Sequence, residues 1–135
     1  DYIILDTPPR VAELTATALY LSHLCLIPLG ASAAEIWATS DTLKALGEVK
    51  AKKPDLDARI VWTRFRSSTK SAQELSEAAA NELGGLQELK ARLGYRVAFS
   101  EALARGLTVA EWSEKVASLE MQVLKNEVVK ILESK

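Results

Sequence analysis

Asp1-Tyr2-Ile3-Ile4-Leu5-Asp6-Thr7-Pro8-Pro9 is the stretch whose reading decides the fold. Tyr2, Ile3, Ile4 and Leu5 form a continuous apolar run, the pattern of a strand covered on both faces of a parallel sheet. Asp6 then stands at the carboxyl end of that strand, where open α/β sheets bind their ligands. Pro8 and Pro9 can neither extend a ladder nor enter a helix interior, so the chain must leave the sheet there as a stiff loop. A carboxylate in that place suits a magnesium–phosphate site, because hard cations take oxygen ligands and are often held through water. Strand-end aspartates also cap turns, and both readings of Asp6 stand at this point.

A nucleotide-phosphate site further needs a glycine-rich loop and a lysine, G-x-x-x-x-G-K-[S/T], to cradle the phosphates. No such stretch occurs. Gly84-Gly85 is the only glycine pair, and Asn81-Glu82-Leu83-Gly84-Gly85-Leu86 reads as a helix closing on a left-handed cap before a turn. The chain also starts inside a strand with no lead-in. The expectation is therefore the latter part of a longer protein.

Size and composition bound the rest. The 135 residues, 48% hydrophobic, suffice for one domain with a real core, and residues 1–135 read as a single unit without repeat or linker. Seventeen basic and eighteen acidic residues leave a net charge of −1, which argues against a dedicated nucleic-acid domain but not against a local basic face. The single cysteine, Cys25, lies in the apolar run Leu24-Cys25-Leu26-Ile27-Pro28 and reads as a packing residue. No disulfide framework can form within the chain, which fits a reducing cytosol. There is no leader-like segment and no apolar run long enough to span a bilayer, so no membrane is expected as a partner.

Apolar runs alternate with helical patterns, the signature of β-α-β units. Strands are expected over 2–5, 24–28 and 59–63, with a weaker one over 89–93. The first helix is expected over 11–22, with Leu14, Ala18 and Leu21 on one face. Ser32-x-x-Glu35 fits a capping box opening a second helix that runs to Lys52. Ser71-x-x-Glu74 and Thr108-x-x-Glu111 are two further boxes, the first opening a helix that closes at Gly84. From 113 to 133 the chain reads as one amphipathic helix, with Val116, Leu119, Val123, Leu124, Val128, Ile131 and Leu132 as its buried stripe. Its polar face mixes acidic and basic residues without an aromatic wedge, which favours docking on the core over membrane anchoring. Trp37, Trp62 and Trp112 fall on apolar positions and are expected to pack. His23, the single histidine, follows the first helix without a metal-ligand pattern in the sequence around it.

Asp1-Tyr-Ile-Ile-Leu-Asp-Thr-Pro-Pro9 closely resembles the second acidic motif of the ParA/MinD group of deviant P-loop ATPases. Leu24-Cys25-Leu26-Ile27-Pro28, followed by Ser32-Ala33-Ala34-Glu35, is similar to that family's Ile-Pro strand and Ser-Pro-x-Asp helix start. Arg59-Ile60-Val61-Trp62-Thr63-Arg64 resembles the strand that ends near the adenine. Arg96-Val-Ala-Phe-Ser-Glu-Ala-Leu-Ala-Arg-Gly-Leu-Thr-Val-Ala-Glu-Trp112 resembles the family's Arg-x-x-(aromatic)-x-x-Ala-x-x-x-Gly-x-x-Val-x-Glu stretch. These motifs come in the family's order across the whole chain, and the match is closest to the short plasmid-partition type.

The resemblance implies an α/β fold, a mostly parallel sheet with helices on both faces, like a P-loop NTPase but lacking the N-terminal P-loop unit. That unit and the first acidic switch would occupy roughly 60–90 further residues upstream, at about 30 or more per β-α-β unit. The P-loop lysine and the family's additional lysine are both absent here, so ATP and Mg2+ would be cofactors of the whole protein, and none is expected for this piece alone. The strand over 2–5 would lie beside the P-loop strand, and its edges would be open unless paired with another chain. By the same resemblance Asp6 would be the catalytic residue, holding the metal through water and orienting the attacking water. Thr7, Pro8 and Pro9 would report the γ-phosphate. Thr63 and Arg64 would approach adenine or simply exit the strand, and Phe65 would face the base or the core. Arg96 would close over the nucleotide or be a solvated arginine.

The resemblance also implies a DNA-partitioning ATPase that forms a homodimer around ATP and binds DNA without sequence preference. Arg64, Arg66, Lys70, Arg92 and Arg96, with Lys90 nearby, would supply the phosphate contacts, unless they are ordinary surface charge diluted by Glu74, Glu77, Glu82 and Glu88. The implied setting is a cytoplasmic, nucleoid-associated protein whose turnover a centromere-binding partner protein stimulates. Two alternatives share the chain: a related positioning ATPase of the MinD kind, and a P-loop-less, non-catalytic interaction module. A metal-dependent hydrolase built on Asp6 alone lacks a second ligand cluster.

Overall fold

The computed structural model describes residues 1–8, 12–30, 32–66, 82–112 and 114–134. The elements run α1 (Ala12–Leu21), β1 (Leu24–Gly30), α2 (Ala33–Ala38), α3 (Ser40–Lys52), β2 (Asp57–Phe65), β3 (Gln87–Gly94), α4 (Val97–Ala104) and α5 (Lys115–Glu133). The three strands form a parallel sheet in the order β1-β2-β3, so the chain is α/β as expected. Registers run without a break from Leu24↔Asp57 to Gly30↔Thr63, whereas β2 and β3 slip on either side of Trp62.

Alternation places Ile27 and Leu29 of β1 with Ala58, Ile60 and Trp62 of β2 in one buried cluster, capped by Leu19 of α1, Ile36 of α2, and Leu46 and Val49 of α3. Burial of these side chains is what holds the helices to the sheet, at about 1.5–3 kcal/mol for each large aliphatic or aromatic group. Lys53 fixes the helix layer further. Its Nζ donates to the Tyr20 and Ser22 carbonyls at 2.9 and 2.7 Å, satisfying the open end of α1 from the end of α3.

The apolar run at residues 2–5 differs from expectation. Among the described residues it pairs with no strand, and Ile3 and Ile4 are 87% and 92% exposed. Side chains suited to a covered strand do not make one without a ladder partner, which is the open-edge problem the sequence raises. Tyr2 Oη donates to Glu133 of α5 at 3.0 Å. In α1 the core-facing residues are Leu19 and Ala16, while Leu14 and Leu21 are exposed. The helix expected from Ser32 to Lys52 is two, because the Thr39 hydroxyl and N–H both turn back on α2 carbonyls. Trp37 does not pack and is 65% exposed. Thr108 and Glu111 do form a reciprocal capping box, but it closes a single turn, and Glu114 caps α5. Gly84 and Gly85 both have positive φ, as a left-handed cap and turn require, whereas Ser71 and Glu74 lie outside the described residues.

The buried stripe of α5 is also shifted. Leu124, Val128, Ile131 and Leu132 are half-buried as expected, but Val116, Leu119 and Val123 are exposed, and Ala117, Glu120 and Glu127 turn inward in their place. Two glutamates sit in that stripe because the outer edge of β3 needs acceptors. Glu127 takes the Lys90 and Ala91 N–H groups at 2.8 and 2.7 Å, and Glu120 takes the Gly94 N–H at 3.0 Å and Arg96 Nε at 3.0 Å. The two carboxylates are about 10 Å apart along the helix axis, and the β3 donors span a similar length of strand. An edge that would otherwise invite another strand is thus closed by side chains.

This clamp is pH-sensitive. Partial burial pushes the Glu120 carboxyl up, but hydrogen bonds from Arg96 and the Gly94 N–H, with the Arg96 charge, outweigh it and hold the group below the usual glutamate range. A carboxyl depressed in the folded state contributes fully above its unfolded value of about 4.3 and loses that contribution as pH falls through the folded value. Urea midpoints measured downward from about pH 5 should fall more shallowly in Glu120→Gln than in the parent chain. Parallel curves would remove Glu120 from the acid response.

Candidate functional site

Residues leaving the carboxyl ends of the strands meet at one edge of the sheet. Thr63, Arg64, Phe65 and Arg66 leave β2, and Gly94, Tyr95 and Arg96 leave β3, joined by the Tyr95 N–H donating to the Phe65 carbonyl at 3.1 Å. Arg64 has φ +52, the one non-glycine residue with positive φ among the described residues, a backbone conformation that costs about 1–2 kcal/mol. Its guanidinium donates to Glu35 of α2 at 2.5 Å, and the same carboxylate accepts the Gly30 N–H at 2.6 Å. Glu35 therefore reaches the end of β1, where a box glutamate would ordinarily return to its own N-cap residue, Ser32.

Gly30 is required for that reach. A Cβ placed there would lie 2.5 Å from a Glu35 oxygen. Gly30→Ala should displace the carboxylate and lower stability by about 1 kcal/mol in urea unfolding. The same change in a Glu35→Ala background should cost nothing further, because the methyl then meets no oxygen. Equal costs in the two backgrounds would contradict the contact.

Two arginines of this edge rest on aromatic rings, as Arg105 rests on Trp112 elsewhere. The Arg92 guanidinium carbon lies 4.5 Å from the Phe65 ring centroid, and that of Arg66 lies 4.5 Å from the Tyr95 centroid. Phe65 is half-buried against the main core, so its ring serves the core and Arg92 together. Arg92 also faces Glu88 at 3.7 Å, whereas Arg96 makes a closer pair with Glu120 at 2.6 Å. The edge thus assembles Thr63, Arg64, Arg66, Arg92 and Arg96, with carboxylates set against Arg64, Arg92 and Arg96 at the distances given.

Asp6, Thr7 and Pro8 are exposed on the segment that pairs with no strand, while Pro9 and Lys70 lie outside the described residues. An exposed carboxylate is a fitting donor for a hydrated magnesium ion, and the phosphate-cradling loop such a site needs is not in this sequence. Among the described residues no group of three acidic, histidine or cysteine side chains gathers to hold a metal. Burial pushes the Cys25 thiol up, away from nucleophilic use. Among the described residues no helix is long and apolar enough to cross a membrane. Glu35, Tyr95 and Glu120 were not legible as members of this edge. Glu35 was visible only as a capping-box residue, and Glu120 only as polar-face charge.

No protein-family model matches the chain. It is similar to a ParA family protein of Mycoplasma pneumoniae, 29% identical over 77 residues that cover 57% of this chain and 28% of that protein. It is also similar to the maintenance of carboxysome distribution protein A of Halothiobacillus neapolitanus, 23% identical over 132 residues that cover 96% of this chain and 60% of that protein. The chain therefore shows weak, partial homology to ParA/MinD-type proteins and spans less than two thirds of either relative.

Proposed function

We propose that this chain is the part of a ParA/MinD-type positioning ATPase that carries the second acidic switch and the DNA-contacting edge. The observation that carries this reading is the likeness running along 96% of the chain to a protein named for distributing a cellular body. The parallel sheet supports it, with its arginine-bearing edge at the carboxyl ends of the strands, where such sheets take ligands.

In the whole protein, ATP and Mg2+ are the cofactors, and the metal supplies electrophilic stabilisation of phosphoryl oxygens. Asp6 holds the hydrated ion, and Thr7, Pro8 and Pro9 form the loop that responds to the γ-phosphate. Thr63 and Arg64 would approach the adenine, and Arg96 would close over the nucleotide. The partners are a second copy, non-specific DNA and a protein that triggers turnover, in a cytoplasmic, nucleoid-associated setting. Positioning of a cargo other than DNA is a second reading, favoured by the name of the carboxysome relative.

ATP turnover by the full-length native protein tests this. Asp6→Ala should lower it by about a hundredfold, the effect of losing about 3 kcal/mol of metal-borne stabilisation. Undiminished turnover in that variant would remove Asp6 from the site, and no turnover by a native protein with no lysine-bearing glycine loop would leave a non-catalytic interaction module.

A further inference from the structure

We propose that Arg96 is shared between Glu120 of α5 and the nucleotide, so that Glu120 restrains nucleotide binding and nucleotide binding loosens the first half of α5. The inference rests on the ATP-binding reading above and names a regulator of that same site.

Arg96 belongs to two parts of the fold at once. Its backbone follows β3 at the carboxyl ends of the strands and precedes α4 as the N-cap residue. Its side chain, however, turns to α5. Nε and one terminal nitrogen donate to Glu120 at 3.0 and 2.6 Å, and the charge of Glu114, which caps α5, adds to the hold. The guanidinium edge best suited to a phosphate, Nε with a terminal nitrogen, is the edge that Glu120 occupies.

The geometry of the pair leaves it open to exchange. Both donors converge on one oxygen, Oε1, because the Gly94 N–H holds Oε2 at 3.0 Å. The carboxylate therefore does not meet the guanidinium fork with two oxygens, the arrangement in which arginine and carboxylate bind most strongly. A phosphate group offers the fork two oxygens. The Arg96 side chain is also 36% exposed, so an anion reaches it without unfolding the edge.

Exchange has a local cost. Glu120 would keep only the Gly94 N–H, while Glu127 would keep both of its bonds, from the Lys90 and Ala91 N–H groups. Loosening is thus confined to the start of α5. Coupling of this kind is reciprocal, so whatever the nucleotide costs the Glu120 contact, the Glu120 contact costs the nucleotide.

The test is calorimetric binding of a non-hydrolysable ATP analogue with Mg2+ to the full-length native protein. Glu120→Ala should bind the analogue about fivefold more tightly than the parent while its urea midpoint falls. A purely structural tie would move the two in the same direction, because a looser fold binds more weakly. In an Arg96→Ala background, itself weaker in binding, the change at Glu120 should give no tightening. Amide exchange reads the coupling without any substitution. The analogue should lower protection at Gly94 relative to Lys90 and Ala91 in the parent protein. Equal or weaker binding in Glu120→Ala, tightening that survives without Arg96, or unaltered relative protection at Gly94 would each overturn the shared arginine and leave the nucleotide reading in place. No binding of the analogue by the parent protein would overturn both.

Discussion

Replacing Glu120 and Glu127 together by alanine is expected to cost the chain about 2–4 kcal/mol and to free α5 from β3. Each carboxylate accepts backbone N–H groups of an edge strand that has no further neighbour among the described strands. A hydrogen bond to a charged acceptor is worth about 1.5–3 kcal/mol, and part of that is returned by water at this half-open site. The apolar residues on the same stripe cannot substitute for it, because Leu124 and Val128 are only half-buried. Against a total stability of about 5–15 kcal/mol for a domain, the loss is large. Urea midpoints should fall together with amide-exchange protection at Lys90, Ala91 and Gly94, while protection in β1 survives. Glu120→Gln and Glu127→Gln singly should each show about half the effect, since each carboxylate accepts through both oxygens and an amide offers only one. Unchanged protection at the three β3 amides would mean that α5 is held by packing alone.

The same clamp shows where sequence reading reaches its limit. The runs at Leu24 and Arg59 were legible as strands because β-prone apolar residues between helical patterns fit few other structures, whereas Leu89-Lys90-Ala91-Arg92-Leu93 only alternates and gave the weaker signal. The run at Tyr2 carries the same signal and forms no strand, because pairing belongs to the neighbour as much as to the run. The face of α5 was misassigned for a related reason. Hydrophobic periodicity counts glutamate as solvent-facing, yet a strand edge needs acceptors more than it needs methyl groups, so Glu120 and Glu127 face inward and Val116 and Leu119 face out. At the candidate site the arginines were legible as a cluster. Their partners were not, because Glu35 and Arg64, or Glu120 and Arg96, are brought together only by the crossover of the chain. Asp6 remains a matter of motif alone, since its segment forms no strand among the described residues.

Trp62 offers the sharpest test of the core. Its side chain is 1% exposed at the centre of the main cluster, on the strand between the other two and at the point where the β2–β3 register slips. Its indole N–H has no hydrogen-bond partner among the described residues. Two opposing terms therefore meet in one side chain. Truncation to alanine removes the largest buried group and leaves a cavity that the surrounding Leu29, Leu56 and Ile60 cannot fill, for an expected loss of about 3–5 kcal/mol. Trp62→Phe removes the orphaned donor, whose burial costs about 1–3 kcal/mol, while losing part of the ring's volume at a similar cost. The two should nearly cancel, leaving the phenylalanine variant within about 1 kcal/mol of the parent chain in urea unfolding. A loss above about 2 kcal/mol for that variant would show that the N–H has a partner after all. In that case the indole donates to a group or a water inside the core, and the slip in register beside it becomes the place to look for that acceptor.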